Sequence, residues 1–173
     1  MKSIHLYMLV FGLFIQSVAS SQIQSVTLQA SGLTCSMCSR AIYKSLQKVP
    51  SVAKVKEDLA HSSYSVQFKD PANVSLENLK KAVIDAGFSV AWMEVKVNFN
   101  DVEVANDSSF KLNDFTFLFV DIDKQKLSGE RKILILDKDY LLDKDRKKYA
   151  GSFDAKTPAS DGERVFHVTL RQS

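Results

Sequence analysis

Between Ser25 and Ala30 the chain alternates, with Val26, Leu28 and Ala30 on one face and Ser25, Thr27 and Gln29 on the other. A period of two marks a half-buried strand. After Ser31-Gly32 the period changes. Cys38, Ala41, Ile42, Leu46 and Val49 follow at three-and-four spacing, with Arg40, Lys44 and Lys48 opposite, which predicts an amphipathic helix ended by Pro50. Val52 to Leu59 and Tyr64 to Phe68 predict two strands joined by the polar turn Ala60-His61-Ser62-Ser63. Ser75 caps a second helix with Glu77 in its first turn, Leu76, Leu79, Val83 and Ala86 inward, and Gly87 at its stop. Phe88 to Val95 predicts a fourth strand. The order β-α-β-β-α-β is the split ferredoxin-like arrangement, a sheet covered on one face by two helices.

Beyond Lys96 the pattern loosens. Residues 98–113 are polar and interrupted, although Val95 to Phe99 can prolong the fourth strand. Phe115 to Ile122 is the strongest strand signal, apolar on both faces, as expected of a central strand whose phenylalanines are core. Lys126-Leu127-Ser128-Gly129 reads as a turn into a strand at Arg131–Leu136. Leu142 to Ala150 reads as a short charged helix, 151–162 as a loop and Arg164 to Leu170 as a last strand. The expected fold class is α+β. A ferredoxin-like βαββαβ domain at 22–95 precedes a small β-rich C-terminal domain at 96–173 that matches no recognised family.

The first residues change the setting. Lys2, an apolar run from Ile4 to Ile15 and the small residues Ser17 and Ala19 predict a secretory signal peptide at 1–19. The run is shorter than the roughly 17–25 residues of a spanning helix, and no later stretch is longer. The mature chain is expected to be exported, periplasmic or secreted, without a membrane span. Hydrophobic content of 45% and charged content of 25% are those of globular proteins and argue against global disorder. A net charge of +3 without a basic, aromatic-studded stripe gives no signal for nucleic acid.

The two cysteines of the chain both lie in Gly32-Leu33-Thr34-Cys35-Ser36-Met37-Cys38. Such a pair can hold a soft metal, cycle between dithiol and disulfide, or close as a fixed disulfide. One pair cannot staple a chain of this size, so a chemical role is expected. Thiolate suits Cu(I), Hg(II) and, less selectively, Zn(II). Cys38 is expected at the helix start, where unpaired N–H groups and the dipole lower a thiol's pKa, with Cys35 one turn earlier on an exposed loop. Two ligands on a loop allow a near-linear S–metal–S site with room for a partner's third ligand. A closed four-ligand zinc site would resist that handover.

Residues 24–95 resemble the heavy-metal-associated domain, the module of copper chaperones, of copper-transporting ATPase tails and of the periplasmic mercuric-ion binding protein. The resemblance rests on Gly32-Leu33-Thr34-Cys35-x-x-Cys38 against the family's G-M-T-C-x-x-C, on Ile42 and Leu46 in the helix, and on Ala86-Gly87-Phe88 before the last strand. Leu33 stands where the family has an inward-packing methionine, a conservative exchange. Ser51-Val52 replaces the usual Gly-Val. The resemblance implies one soft ion held by Cys35 and Cys38, carried or sequestered, exchanged with a metal-transport protein, and no catalysis. In that family acidic residues near the loop accompany zinc and cadmium, whereas Thr34 is neutral, so Cu(I) comes first and Hg(II) and Zn(II) follow.

Two other readings remain open. One is a thiol-disulfide redox protein, against which stand Gly-Leu-Thr in place of an aromatic and the lack of proline or histidine between the cysteines. The other is a mercury-binding or metal-sensing interaction protein whose C-terminal region recognises a partner. A disulfide formed outside the cytoplasm would block metal binding until reduced. Met37 reads as a semi-exposed loop residue, His61 as part of a distant hairpin turn, His167 as a strand residue and Phe88 as packing beneath the loop. Asp121-x-Asp123 and Asp137-x-Asp139 lack the glycine and closing glutamate of a calcium loop and read as turn carboxylates.

Overall fold

The computed structural model describes residues 21–33, 35–152 and 164–171. The expected signal peptide at 1–19, Thr34 and most of the loop at 151–162 lie outside the described residues. The elements run β1 (Gln22–Ser31), α1 (Ser36–Gln47), β2 (Val52–Asp58), β3 (Ser63–Phe68), α2 (Leu76–Asp85), β4 (Ser89–Val104), β5 (Ser109–Leu112), β6 (Phe115–Phe119), β7 (Gln125–Ile135), a short α3 (Asp143–Arg146) and β8 (Arg164–Leu170). One mixed sheet orders the strands β2-β3-β1-β4-β7-β8-β6-β5. Its first four strands, with α1 and α2, form the expected βαββαβ unit.

Alternation decides which face is covered. Val26 and Leu28 of β1, Tyr64 and Val66 of β3, and Met93 and Val95 of β4 are fully buried, as are Ile42 and Leu46 of α1 and Leu79 and Val83 of α2. Ser45 Oγ also donates to the Ala82 carbonyl at 2.7 Å and ties the two helices together. Gly87, at φ +89°, ends α2 in a conformation that costs a residue with a Cβ more than glycine. The Gly87 and Phe88 amides then donate to Ile84 and Val83 at 2.8 and 3.1 Å, a Schellman closure that sets where Phe88 enters the sheet.

β4 departs most from expectation. It does not stop at Val95 but runs to Val104, so the boundary expected between 95 and 96 falls inside a strand. Residues 126–129 do not turn. They form the first half of β7 and pair with the outer half of β4, Val102 opposite Leu127 and Val104 opposite Gln125. The mixed polarity that mimicked a turn is the alternation of a one-sided strand, with Leu127 buried and Lys126 and Ser128 exposed. A bulge between Phe99 and Val102 bends this ribbon, with Asp101 at φ +53° and Gly129 at φ +70° opposite Phe99. β5 is a four-residue edge strand, too short to stand out in a polar stretch.

The apolar cluster does not break where the composition changes. Val26, Met93 and Val95 belong to the same buried cluster as Phe115, Phe117, Ile133 and Val168. α2 flanks the join: Lys80 Nζ lies 4.6 Å from the Tyr140 ring centre, and Arg164 stacks on Phe115 at 5.0 Å while reaching Glu77 at 3.6 Å. On the opposite face Glu94 is buried between Lys132 at 3.1 Å and Arg171 at 3.2 Å, and Arg171 stacks on Trp92 at 4.3 Å. A buried carboxylate is tolerable there because both cations compensate its lost hydration.

Phe117→Ala is expected to destabilise the fold by about 3–5 kcal/mol, as cavity formation at a fully buried phenylalanine does. Urea unfolding followed by Trp92 fluorescence and by far-UV circular dichroism should show one coincident transition in both proteins. Two separated transitions would contradict the shared core.

Candidate metal centre

β1 delivers the chain to the dithiol loop. Gly32, at φ +82°, turns it off the sheet, and Leu33 stays partly buried against the core. α1 then starts two residues earlier than the spacing predicted, because Cys35 itself is the N-cap. Its backbone is extended (φ −151°, ψ 157°) and its Sγ accepts the Cys38 amide at 3.3 Å. The Cys35 carbonyl takes the Cys38 and Ser39 amides at 3.1 and 3.3 Å. Sulfur thus does what serine or aspartate oxygen does at most helix starts.

Cys35 is exposed as expected, but the cap gives it, and not Cys38, the sulfur that meets the helix N–H groups. Cys38, where the sequence placed the helix-start sulfur, lies half-buried in the first turn. Hydrogen bonding from the Cys38 thiol, then from the Cys38 amide, holds the Cys35 thiol below its ordinary value; slight desolvation opposes this and the Met37 amide adds to it. Both cysteines are free thiols. Among the described residues no group of three or more His, Cys, Asp or Glu side chains could enclose a metal ion. Two free thiols at a helix N-terminus are soft donors, and Cys35 faces solvent.

Three loops meet at this end of the sheet. Ser31 pairs with Ser89 and Gln29 with Ser63. The β2–β3 turn is therefore not distant from the cysteines: Ala30 N donates to Ser62 O at 3.2 Å and Gln29 Nε2 to His61 O at 2.6 Å. A contiguous-sequence view hid this, because β3 returns beside β1. His61 itself binds Asp58 at 2.9 Å. The exposed large apolar side chains Met37 (73%), Leu59 (63%) and Ile84 (50%) lie in or beside these loops. Met37 belongs to the first helical turn and not to a loop. Phe88 is partly buried and packs against the core.

His167 is far from the dithiol in β8, its Nδ1 and backbone amide both 2.8 Å from the Asp137 carboxylate. Asp137 is thereby engaged in a strand contact. Asp121 and Asp139 occupy left-handed turn positions, as turn carboxylates do.

A family model described as the heavy-metal-associated domain matches residues 27–89. The mercuric transport protein periplasmic component of Serratia marcescens is 40% identical over 65 residues, 38% of this chain and 70% of that protein. Copper-transporting ATPase 1 of Mus musculus is 33% identical over 73 residues, 42% of this chain but only 5% of the ATPase. Among solved structures, oxidised MerP from Ralstonia metallidurans CH34 shares 38% identity, with a TM-score of 0.37, over 40% of this chain and 94% of that one. No helix among the described residues is long and apolar enough to cross a membrane.

Peptide-resolved alkylation of the reduced protein should give Cys35 a half-maximal rate below pH 9.0, the ordinary thiol value. A depressed pKa means the thiolate persists as pH falls through the interval just under that value, where an ordinary thiol is already protonated. Cys38→Ala should move the Cys35 profile back upward. A wild-type midpoint at or above 9.0 would contradict the capped-thiolate geometry.

Proposed function

The chain belongs to the heavy-metal-associated domain family through residues 27–89, and from that premise we propose that it carries or sequesters a single Cu(I) ion between Cys35 and Cys38. The observation that supports this most directly is the pair of free thiols, Cys35 exposed and Cys38 half-buried, with one sulfur at a helix N-cap and, among the described residues, no group of three or more His, Cys, Asp or Glu to enclose an ion. Thiolate softness favours Cu(I) over harder ions, and a low coordination number keeps the ion exchangeable. Two sulfurs bind; an incoming thiolate adds as a third ligand; one original sulfur leaves. No covalent catalysis is involved.

The partner is a metal-transport protein whose own thiolates reach the open side. Met37, Leu59 and Ile84 supply apolar surface around the point of transfer. Lys2 and the apolar run Ile4–Ile15 support export as part of this reading, and an exported pair must be kept reduced to work. Hg(II) is the second reading, favoured by the 40% identity to the mercuric transport protein.

Competition of the reduced chain against a Cu(I) chelator should give one ion per chain with affinity far tighter than micromolar. The Cys35→Ser, Cys38→Ser double variant should lose it. Equal binding by the double variant would end the carrier proposal, and insulin-reductase activity in place of tight binding would favour a redox role. Metal analysis of the protein isolated anaerobically from its source then separates copper from mercury.

A further inference from the structure

Tyr64 is a buried titratable side chain with no part in binding as described so far. It lies in β3 between Leu28 of β1 and Glu57 of β2, wholly buried, and points at the first turn of α1. Its Oη is 2.8 Å from Ser39 Oγ and 3.2 Å from the Ser39 carbonyl oxygen. Ser39 is only 5% exposed and follows Cys38 directly. One arrangement uses both hydrogens: the serine hydroxyl donates to the phenol oxygen, and the phenol hydrogen goes to the Ser39 carbonyl. Burial raises the phenol's pKa, so it remains a donor throughout the working range of a thiolate site.

Among residues 35–39 no other side chain hydrogen-bonds to the sheet. Cys35 is held by its own helix's N–H groups, and Met37 is solvent-exposed. The sheet therefore grips this turn at Ser39, one residue from Cys38. The Cys35 sulfur in turn takes its place from the Cys38 amide.

On the premise of the soft-metal site above, we propose that Tyr64 is a positioning residue: its phenol, acting through Ser39, sets where Cys38 and hence the Cys35 sulfur stand. Partners that orient metal ligands from one step back contribute about 10–100-fold in affinity.

Four full-length reduced proteins decide this: wild type, Tyr64→Phe, Ser39→Ala and the double variant, with Ile133→Val in the distant strand β7 as a control for lost stability. Tyr64→Phe keeps the ring and should fold. It should weaken Cu(I) binding about tenfold or more and shift the Cys35–Cys38 dithiol–disulfide potential of the metal-free protein. The double variant should be no worse than the weaker single one, and Ile133→Val should change neither affinity nor potential. Unchanged affinity and potential in Tyr64→Phe would overturn the proposal, as would additive effects or an equal loss in the control. If wild type binds no soft ion, the carrier function fails by itself; the shifted potential and faster amide exchange at Cys38 and Ser39 in Tyr64→Phe would still support the clamp, and their absence would remove it.

Discussion

β4 hydrogen-bonds along both edges, to β1 on one side and to β7 on the other, and so joins the two halves of the sheet. Its inward residues Met93, Val95, Val97 and Phe99 are buried in one continuous cluster beneath α1, α2 and the phenylalanines of the C-terminal half. Without the second pairing the βαββαβ unit would end in an exposed edge, which invites association with other chains. With it, residues beyond the family's module extend the same sheet. The buried Glu94, shared by Lys132 and Arg171, ties β4 to β7 and to the end of β8 on the face the helices leave bare.

A rigid sheet end is what a transferable metal site needs. Binding that must reorder a loop loses affinity to that ordering, whereas ligands already in place lose little. Here the sheet fixes three loop bases, Tyr64 grips Ser39, and the helix N-terminus holds the Cys35 sulfur. The open side supplies the opposite property. Among the described residues no group of three or more His, Cys, Asp or Glu could enclose an ion, so one held by the two sulfurs as proposed would stay accessible to an incoming thiolate.

Much of this was legible in the residues because local and tertiary signals agreed. Period, caps and breakers between Ser25 and Phe88 all pointed to one unit, and the cysteine loop fell at its strand-to-helix junction. What stayed hidden depended on pairing. Leu127 and Gly129 read as a turn because one-sided alternation beside a bulge contains the same residue types as a turn. His61 seemed remote because sequence separation does not show that β3 returns beside β1. The N-cap could not be assigned from spacing, since cysteine is not a usual cap and Cys35 and Cys38 both adjoin the first turn. Ser39 and Tyr64 left no signal at all, being a serine on a helix and a tyrosine in a strand until the fold brings their hydroxyls within 2.8 Å.

The proposed function stands on a two-sulfur site for a soft ion at Cys35 and Cys38. Copper K-edge X-ray absorption of the full reduced chain loaded with one equivalent of Cu(I) tests it most directly. Two sulfur scatterers and no nitrogen or oxygen in the first shell are the expected result, with the sulfur signal lost in the Cys35→Ser, Cys38→Ser variant. A first shell containing imidazole nitrogen or carboxylate oxygen, or a spectrum unchanged by the double substitution, would contradict it.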